Sequence, residues 1–227
     1  MKILVVNPNT TTSMTKKIGL AARAAARPGT EIVVANSQNG PASIQGFLDV
    51  ATCVPGLLEE VAQHPDVDAI VIACFDDTGL DAVRSLVTVP VLGIGEAAYH
   101  AASMIAVKFS VVTTLSRSVY GLENNLLKYG LAQKCTGVRA TDIPVLKLEE
   151  GDRATVDKIR LEIRAAIDQD QAEAIVLGCA GMADLMAQLS DEFQLPVVDG
   201  VAAGVALSEA LVNSNLTTSK IRTYASV

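Results

Sequence analysis

An internal repeat constrains the fold of this chain more than any other feature. Three pairs of segments align at offsets of 105 or 106 residues: 4–8 with 110–114, 68–74 with 173–179, and 89–91 with 195–197. One aligned pair would carry little weight, because buried strands resemble one another. Three pairs at nearly one spacing indicate two halves that repeat the same order of elements.

Short runs rich in β-branched residues alternate with helical patterns in both halves. We predict strands at eight segments: Ile3–Val6, Glu31–Ala35, Ala69–Ala73, Val89–Ile94, Ser110–Thr113, Val138–Thr141, Ala174–Gly178 and Pro196–Val198. Helices are predicted at Met14–Ala26, Ala51–Ala62, Gly79–Val87, Val119–Tyr129, Ala154–Gln169 and Met182–Phe193. Several strands are apolar on both faces, as in parallel sheets covered by helices on both sides. The sequence therefore predicts an α/β fold with two pseudo-symmetric lobes, each with a four-stranded parallel sheet.

The two halves are expected to pack closely. No linker rich in Pro, Gly or Ser separates them, and the chain passes through residues 95–107 into the second half. A final helix at about 203–212 is placed to cross back onto the first lobe. We therefore expect one lobe of residues 1–97 with 203–227 and a second lobe of residues 98–202, with a cleft between them.

The composition argues against several functional classes. The 227 residues carry a formal net charge of −7, so the surface would repel the phosphate backbone of a nucleic acid. No apolar run is long enough to span a bilayer, and the N-terminus lacks the pattern of a signal peptide, so we expect a cytoplasmic protein. Hydrophobic residues make up 50% of the chain and charged residues 19%, which favours further burial in a homo-oligomer.

Two of the four cysteines occupy equivalent places in the repeat. Cys74 and Cys179 each directly follow a predicted strand and precede a predicted helix. Ligands of open parallel sheets bind beyond the carboxyl ends of the strands, where the free N–H groups of a following helix stabilise a thiolate. We therefore expect lowered thiol pKa values and two sulfurs that face each other across the cleft. Cys53 and Cys135 are interpreted as buried hydrophobic residues, the usual role of a free cysteine.

A facing pair of thiols suits the inversion of a carbon stereocentre that bears a hydrogen. One ionised thiol removes the proton on one face, while the other thiol donates a proton on the opposite face. The carbanion must be stabilised as an enolate, and the backbone N–H groups near Phe75-Asp76 and Ala180-Gly181 are candidate oxyanion donors. This chemistry requires neither a metal nor an organic cofactor. With two histidines and no C-x-x-C pair, a zinc site has little support.

Six motifs distributed over essentially the whole chain carry a resemblance to a known family. They are Asn7-Pro8-Asn9-Thr10, Gly40-Pro41-Ala42-Ser43-Ile44, Ala73-Cys74-Phe75-Asp76-Asp77-Thr78, Thr113-Thr114, Leu177-Gly178-Cys179-Ala180-Gly181-Met182 and Tyr224-Ala225. With them the chain resembles the aspartate/glutamate racemase superfamily, and within it the hydantoin racemase branch. The resemblance implies two flavodoxin-like lobes, an active site in the cleft between the lobes, and catalytic thiols at Cys74 and Cys179.

The chain departs from the superfamily pattern at two places. Amino-acid racemases of the superfamily carry Asp-Ser after the first strand and Cys-Thr-His around the second cysteine. This chain has Asn9-Thr10 and Cys179-Ala180-Gly181 there. The departure removes polar groups that would bind an ammonium and a carboxylate, and it favours a cyclic, uncharged substrate of the ureide type.

Substrate-binding residues are expected around the two cysteines at Asn9, Ser43, Ile44, Phe75, Asp76, Thr113, Thr114, Ala180 and Gly181. Asp76 is a candidate acceptor for a ring N–H, and the other polar residues are alternatively turn or cap residues. Thr78 and Asp81 form a capping-box pattern, which predicts Thr78 as a helix cap. Glu96 is expected to be a solvated surface charge.

The favoured function is interconversion of D- and L-5-monosubstituted hydantoins by two-cysteine proton transfer at C5. Allantoin racemisation is the nearest alternative, because it is the same chemistry on a substrate with a polar ureido substituent. Decarboxylation or isomerisation, which relatives in the superfamily achieve with a single cysteine, is disfavoured by the presence of two thiols. A non-enzymatic small-molecule binding protein is the remaining alternative, and it gives no reason for paired thiols at strand ends.

Overall fold

The computed structural model describes residues 1–225 and contains two parallel sheets. The first sheet consists of β1 (Lys2–Asn7), β2 (Glu31–Asn36), β3 (Ala69–Ile72) and β4 (Val91–Gly93). The second consists of β5 (Phe109–Thr113), β6 (Cys135–Ala140), β7 (Ala174–Gly178) and β8 (Val197–Asp199). Their strand orders, β2-β1-β3-β4 and β6-β5-β7-β8, are the same. The predicted α/β fold with two like four-stranded sheets is confirmed.

Helices connect the strands and cover the sheets. In the first half they are α1 (Thr12–Ala25), α2 (Phe47–Ala62), α3 (Leu80–Leu86) and α4 (Ile94–Ile105). In the second half they are α5 (Ser116–Lys128), α6 (Arg153–Asp168), α7 (Met186–Phe193) and α8 (Gly200–Asn213). Three short 3₁₀ helices lie at Val145–Glu150, Ala180–Leu185 and Arg222–Tyr224. Within residues 1–225, no helix has both the length and the apolar character needed to cross a membrane.

Element boundaries differ from the prediction mainly where distant contacts decide them. The strand predicted at Val89–Ile94 is only Val91–Gly93, and Ile94 already begins α4. The backbone turns into the helix there because the Asp77 carboxylate, from another loop, accepts hydrogen bonds from the N–H groups of Gly95 and Glu96. Such a contact between residues far apart in the chain leaves no local sequence signal.

A shared hydrophobic core joins the two sheets. It includes Val5 and Val71 of the first sheet with Val111 and Val176 of the second, and Tyr99 of α4 is completely buried within it. Each sheet also packs a separate apolar cluster on its other face. Burial of aliphatic side chains on both faces of both sheets accounts for strands that are apolar throughout.

The last helix of each half packs across the lobe boundary. Helix α4 contacts β7 and β8, while α8 contacts β3 and β4 of the first sheet. Gly204 permits the close approach of α8, because a Cβ atom at this position would lie 2.9 Å from Cγ1 of Val71. The division into residues 1–97 with 203–227 and residues 98–202 stays an interpretation, and its last two residues lie outside the described part.

Candidate active site

The duplicated topology brings both candidate catalytic cysteines into one pocket. Cys74 follows the end of β3 by two residues, and Cys179 directly follows β7. The pocket lies at the carboxyl ends of the strands and encloses about 430 Å³, including its open mouth. Nine of the predicted site residues line it: Asn9, Ile44, Cys74, Phe75, Asp76, Thr113, Thr114, Cys179 and Ala180.

Two predicted substrate contacts do not line this pocket. Ser43 is buried beside Ile44, and Gly181 packs behind Cys179, where an added Cβ atom would lie 3.7 Å from the Cys179 sulfur. The wall also includes residues that the sequence did not single out: Met14, Ala73, Ser118, Val145 and Gly178. Met14 and Val145 are indistinguishable from ordinary core residues in sequence, since only tertiary packing brings them to the pocket.

The polar residues of the pocket differ in how far the protein occupies their hydrogen-bonding groups. Asn9 Oδ1 accepts hydrogen bonds from Asn7 Nδ2 and from the Thr11 N–H, both at 2.9 Å. The Thr113 hydroxyl donates to the Gly178 carbonyl oxygen at 2.9 Å and therefore joins β5 to β7. The Thr114 hydroxyl has no hydrogen bond to any residue that the structure describes. Of the two threonines, Thr114 is the one free to bind a ligand.

Burial determines the ionisation of both thiols. It raises the pKa of Cys74 well above its usual range, and the nearby Asp76 carboxylate raises it further. Burial also raises the pKa of Cys179 to about 11, against the effect of a hydrogen bond from the Gly181 N–H. The expectation of lowered thiol pKa values is therefore wrong.

The reason is that neither sulfur lies at the start of a full α-helix. Helix α3 begins at Leu80, six residues after Cys74, and the segment after Cys179 is a six-residue 3₁₀ helix. The electrostatic effect of a helix end falls off within one turn. Desolvation of two buried thiols therefore outweighs the few backbone N–H groups near them.

Asp76 places a carboxylate in the pocket beside both thiols. Its side chain makes no hydrogen bond or ion pair within residues 1–225, and its backbone carbonyl accepts from Asn125 Nδ2 at 2.9 Å. Burial raises the pKa of Asp76 to about 6, and its negative charge raises the pKa of Cys74 and of Cys179. An unoccupied carboxylate in this position is an acceptor for a ligand N–H.

The loop after Cys74 has a different structure from the predicted helix cap. Helix α3 is preceded by Gly79 in the left-handed conformation and has no side-chain cap, so the predicted capping role of Thr78 is wrong. The Thr78 hydroxyl instead lies 3.7 Å from the Cys74 sulfur. The capping-box pattern is misleading here because Asp77, like Gly79, has a positive φ, which is 52° at Asp77. The backbone on either side of Thr78 is therefore not helical, and α3 begins only at Leu80.

A buried carboxylate fixes this loop against the second half of the chain. Asp77 accepts hydrogen bonds from the N–H groups of Gly95 at 2.9 Å and Glu96 at 2.7 Å, and from the Tyr129 hydroxyl at 2.8 Å. The Glu96 side chain is not a solvated surface charge as expected, because its Oε2 lies 2.6 Å from Nη2 of Arg84 and both side chains are largely buried. These contacts hold the backbone on which Cys74 sits.

Asp77 is expected to make stability depend on pH. Burial raises the pKa of Asp77 to about 7, whereas an unfolded aspartate has a pKa near 3.9. Between these values the folded protein binds more protons, so its stability falls as pH rises. Relative to the Asp77→Asn variant, the wild-type free energy of unfolding should fall by about 2–3 kcal/mol between pH 5 and pH 8. Urea unfolding of both proteins measures this difference, and a difference that stays constant or grows in favour of wild type would contradict the assignment.

The described residues contain no group of three or more His, Cys, Asp or Glu side chains arranged to hold a metal ion. What the pocket does contain is a thiol from each half, an unoccupied carboxylate and several backbone N–H groups. Fold and site together define an α/β protein with two like sheets and a pocket that holds one cysteine from each half.

Comparison with known proteins identifies the family. The profile of the Asp/Glu/Hydantoin racemase family matches residues 3–208. A hydantoin racemase from Pseudomonas sp. is 45% identical over 99% of this chain and 91% of its own length, and one from Rhizobium meliloti is 45% identical over 99% and 94%. The structure of an allantoin racemase from Klebsiella pneumoniae superposes with a TM-score of 0.97 at 45% identity, over 100% of this chain and 94% of that one. The chain belongs to the Asp/Glu/Hydantoin racemase family.

Proposed function

We propose that this chain interconverts the D and L forms of 5-monosubstituted hydantoins by moving the C5 proton between Cys74 and Cys179. The observation that carries the proposal is that thiols from equivalent strand ends of the two halves line a single pocket. The similarity to proteins named hydantoin racemases supports this choice of substrate.

The proposed reaction consists of two proton transfers. The thiolate on one face removes the C5 proton and becomes a thiol, and the electron pair of the broken C–H bond moves onto the neighbouring carbonyl oxygen as an enolate. The thiol on the opposite face then donates its proton to C5 and becomes a thiolate. Each turnover leaves the cysteine pair in the reversed protonation state, ready for the other enantiomer.

Substrate binding is assigned to the polar groups around the thiols. Asp76 accepts a ring N–H, the Thr114 hydroxyl binds a ring carbonyl or N–H group, and Asn9 Nδ2 donates to a ring carbonyl. The backbone N–H groups of Phe75-Asp76 and Ala180-Gly181 stabilise the enolate oxygen. Ile44 and Thr113 complete the proposed surroundings. Neither a metal nor an organic cofactor takes part.

Allantoin is the second candidate substrate. It has the same ring and the same acidic C5–H, and it carries a ureido group at C5. The structural similarity to an allantoin racemase supports allantoin as a candidate substrate in addition to the hydantoins. The two candidates differ only in the substituent, so the reacting groups are assigned the same roles for both.

A screen of enantiopure compounds tests the proposal. Purified protein, with and without exhaustive EDTA treatment, is incubated with a D- or L-5-alkylhydantoin, allantoin, aspartate and glutamate, and optical rotation is followed. We expect loss of rotation with the cyclic ureides only, at a rate that EDTA leaves unchanged. Racemisation of the amino acids alone would refute the substrate assignment, and activity lost to EDTA and restored by a divalent ion would refute cofactor independence.

We propose a cytoplasmic setting and a homo-oligomeric assembly for this chain. All four cysteines are free thiols, which suits the reducing cytoplasm, and catalytic thiols need that environment to stay active.

Large apolar side chains remain exposed on several helices, among them Leu20, Met104 and Leu161. Such surface favours a homo-oligomer. The acidic surface, with no expected affinity for nucleic acid or membrane, leaves the small-molecule substrate as the proposed partner.

A further inference from the structure

A second pocket adjoins the cysteine pocket and has no role in the chemistry proposed above. It encloses about 630 Å³ including its open mouth, and Asp76 and Ser118 belong to the walls of both pockets. Its remaining wall comes from the start of α2 and from one face of α5. The two pockets therefore lie side by side.

The face of α5 in the second pocket is open because of its residues. Arg117, Gly121 and Asn124 are spaced as neighbours on one side of a helix. A Cβ atom added at Gly121 would meet no atom within 4 Å. Arg117 and Asn124 are exposed and form no hydrogen bond or ion pair with any described residue. The pocket therefore has open space beside Gly121, and the Arg117 and Asn124 side chains at its edge have hydrogen-bond donors that no described residue occupies.

The equivalent helix of the first half has no such opening. Helix α1 follows the first strand of its sheet as α5 does, but Met14, Thr15 and Ile18 are buried there. Helix α1 also packs against the 3₁₀ helix Ala180–Leu185. The pseudo-symmetry of the fold is therefore broken at α5, next to the site where the ring would lie. Gly121 is therefore not explained by a packing requirement that both halves of the fold share.

The geometry of inversion determines what a pocket for the substituent must accommodate. With one thiol on each face of C5, the C–H bond points at a sulfur, and in the planar enolate the substituent leaves C5 in the plane of the ring. Inversion also moves the substituent from one side of this plane to the other, so its pocket must be wide. In the second pocket Phe47, which is 68% exposed, and Val50 offer apolar contact, and Arg117 offers a cation.

We infer that Gly46, with Phe47 and Val50 of α2, and the Arg117–Asn124 face of α5 form the subsite for the C5 substituent. The subsite takes a chain of several carbon atoms that ends in a carboxylate or carbonyl oxygen, which Arg117 binds. Gly121 is the residue that determines the permitted size. This inference rests on the proposed function, because it assumes a cyclic ureide between the thiols.

Substitution of Gly121 tests the size limit. Gly121 is inside a helix with open space beside it, so Gly121→Ala and Gly121→Leu are expected to fold, and Tyr120→Leu is a control on the solvent side of α5. The ligands are 5-methylhydantoin, 5-propylhydantoin and 5-(2-carboxyethyl)hydantoin. With Gly121→Leu, kcat/KM for the two larger ligands should fall at least about tenfold while the methyl compound changes less than about threefold. Gly121→Ala should give a smaller loss.

Substitution of Arg117 tests the recognition of the end group. Arg117→Gln should lower kcat/KM for the carboxyethyl compound about three- to tenfold and leave the propyl compound within about twofold. Arg153→Gln, which alters an exposed arginine on α6, is the matched control and should change neither. Equal effects of Arg117→Gln on both compounds would overturn the assignment of the end group.

Calorimetric binding of the racemic ligands separates failure of the subsite from failure of the proposed function. If wild type racemises the hydantoins and Gly121→Leu keeps the wild-type ligand preference, the subsite is overturned and the proposed function stands. If Gly121→Leu weakens the binding of the larger ligands only, but wild type does not racemise any of the ligands, the subsite is supported and the proposed function is overturned. A wild-type protein that neither binds nor racemises these hydantoins overturns both.

Discussion

Replacement of either Cys74 or Cys179 by serine is expected to lower racemisation by at least about 100-fold, and by up to about 10⁴-fold. Both thiols line the same pocket from opposite halves of the chain, so each is assigned one face of the substrate. A serine hydroxyl is too weak an acid to ionise near neutral pH, and it therefore replaces neither the base nor the acid of the pair.

Each serine variant should nevertheless keep half of the chemistry. The remaining thiol can remove the C5 proton of the enantiomer whose hydrogen faces it. In D₂O that enantiomer should exchange its C5 proton for deuterium with retention of configuration, and the complementary variant should exchange the other enantiomer. NMR of both pure enantiomers of a 5-alkylhydantoin with each variant, corrected for spontaneous exchange, measures this selectivity.

Cys135→Ser is the matched control for these substitutions. Cys135 is half-buried at the start of β6, outside the cysteine pocket, and its thiol donates to the Gly137 carbonyl oxygen at 3.3 Å. A serine hydroxyl can make the same bond, so activity should stay within about threefold of wild type. A single Cys74 or Cys179 variant that racemises at a near wild-type rate would contradict the two-thiol mechanism. Exchange of the same enantiomer by both variants would contradict the assignment of opposite faces.

The parts of this site that the sequence predicts are those that a repeated local pattern encodes. The segments ending in Cys74 and Cys179 align with each other, and a buried parallel strand followed by a polar loop places each cysteine at the edge of its sheet. Since both sheets have the same strand order, equivalent sequence positions become equivalent places in the fold. Two of the six motifs that carry the family resemblance lie at these same strand ends.

The parts that the sequence does not predict depend on contacts between distant segments. Asp77 is adjacent to Asp76 in sequence, yet Asp76 lies in the pocket while Asp77 binds the start of α4 and Tyr129. Nothing in the local pattern distinguishes the two carboxylates. The subsite at Gly121 is hidden for the same reason, because a glycine in a helix indicates an opening only once the packing of α2 beside it is known.

The thiol pKa values illustrate the same limit and lead to the second large effect. A strand-to-helix turn predicts a stabilised thiolate, but burial and the Asp76 charge raise the pKa of both thiols. With the pKa of Cys179 near 11, only about one molecule in 10⁴ carries that thiolate at pH 7, and the fraction rises tenfold per pH unit. After subtraction of the spontaneous reaction, kcat/KM should therefore rise about 100-fold between pH 7 and pH 9. A flat profile over this range would contradict raised thiol pKa values in the free enzyme.

Asp76→Asn separates the two roles assigned to this carboxylate. The burial-raised pKa of Asp76, about 6, means that it is negatively charged over the whole range from pH 7 to pH 9, so its removal should lower the pKa of both thiols and move the rising limb of the profile to lower pH. The amide is a weaker acceptor for a ring N–H than a carboxylate, so KM should rise about tenfold or more. Steady-state kinetics of wild type and variant from pH 6 to pH 10 measure both effects. A variant with a raised KM but an unshifted limb would show that Asp76 binds substrate without controlling the thiols. A shifted limb with unchanged KM would remove Asp76 from substrate binding and leave its charge as one cause, beside burial, of the raised thiol pKa values.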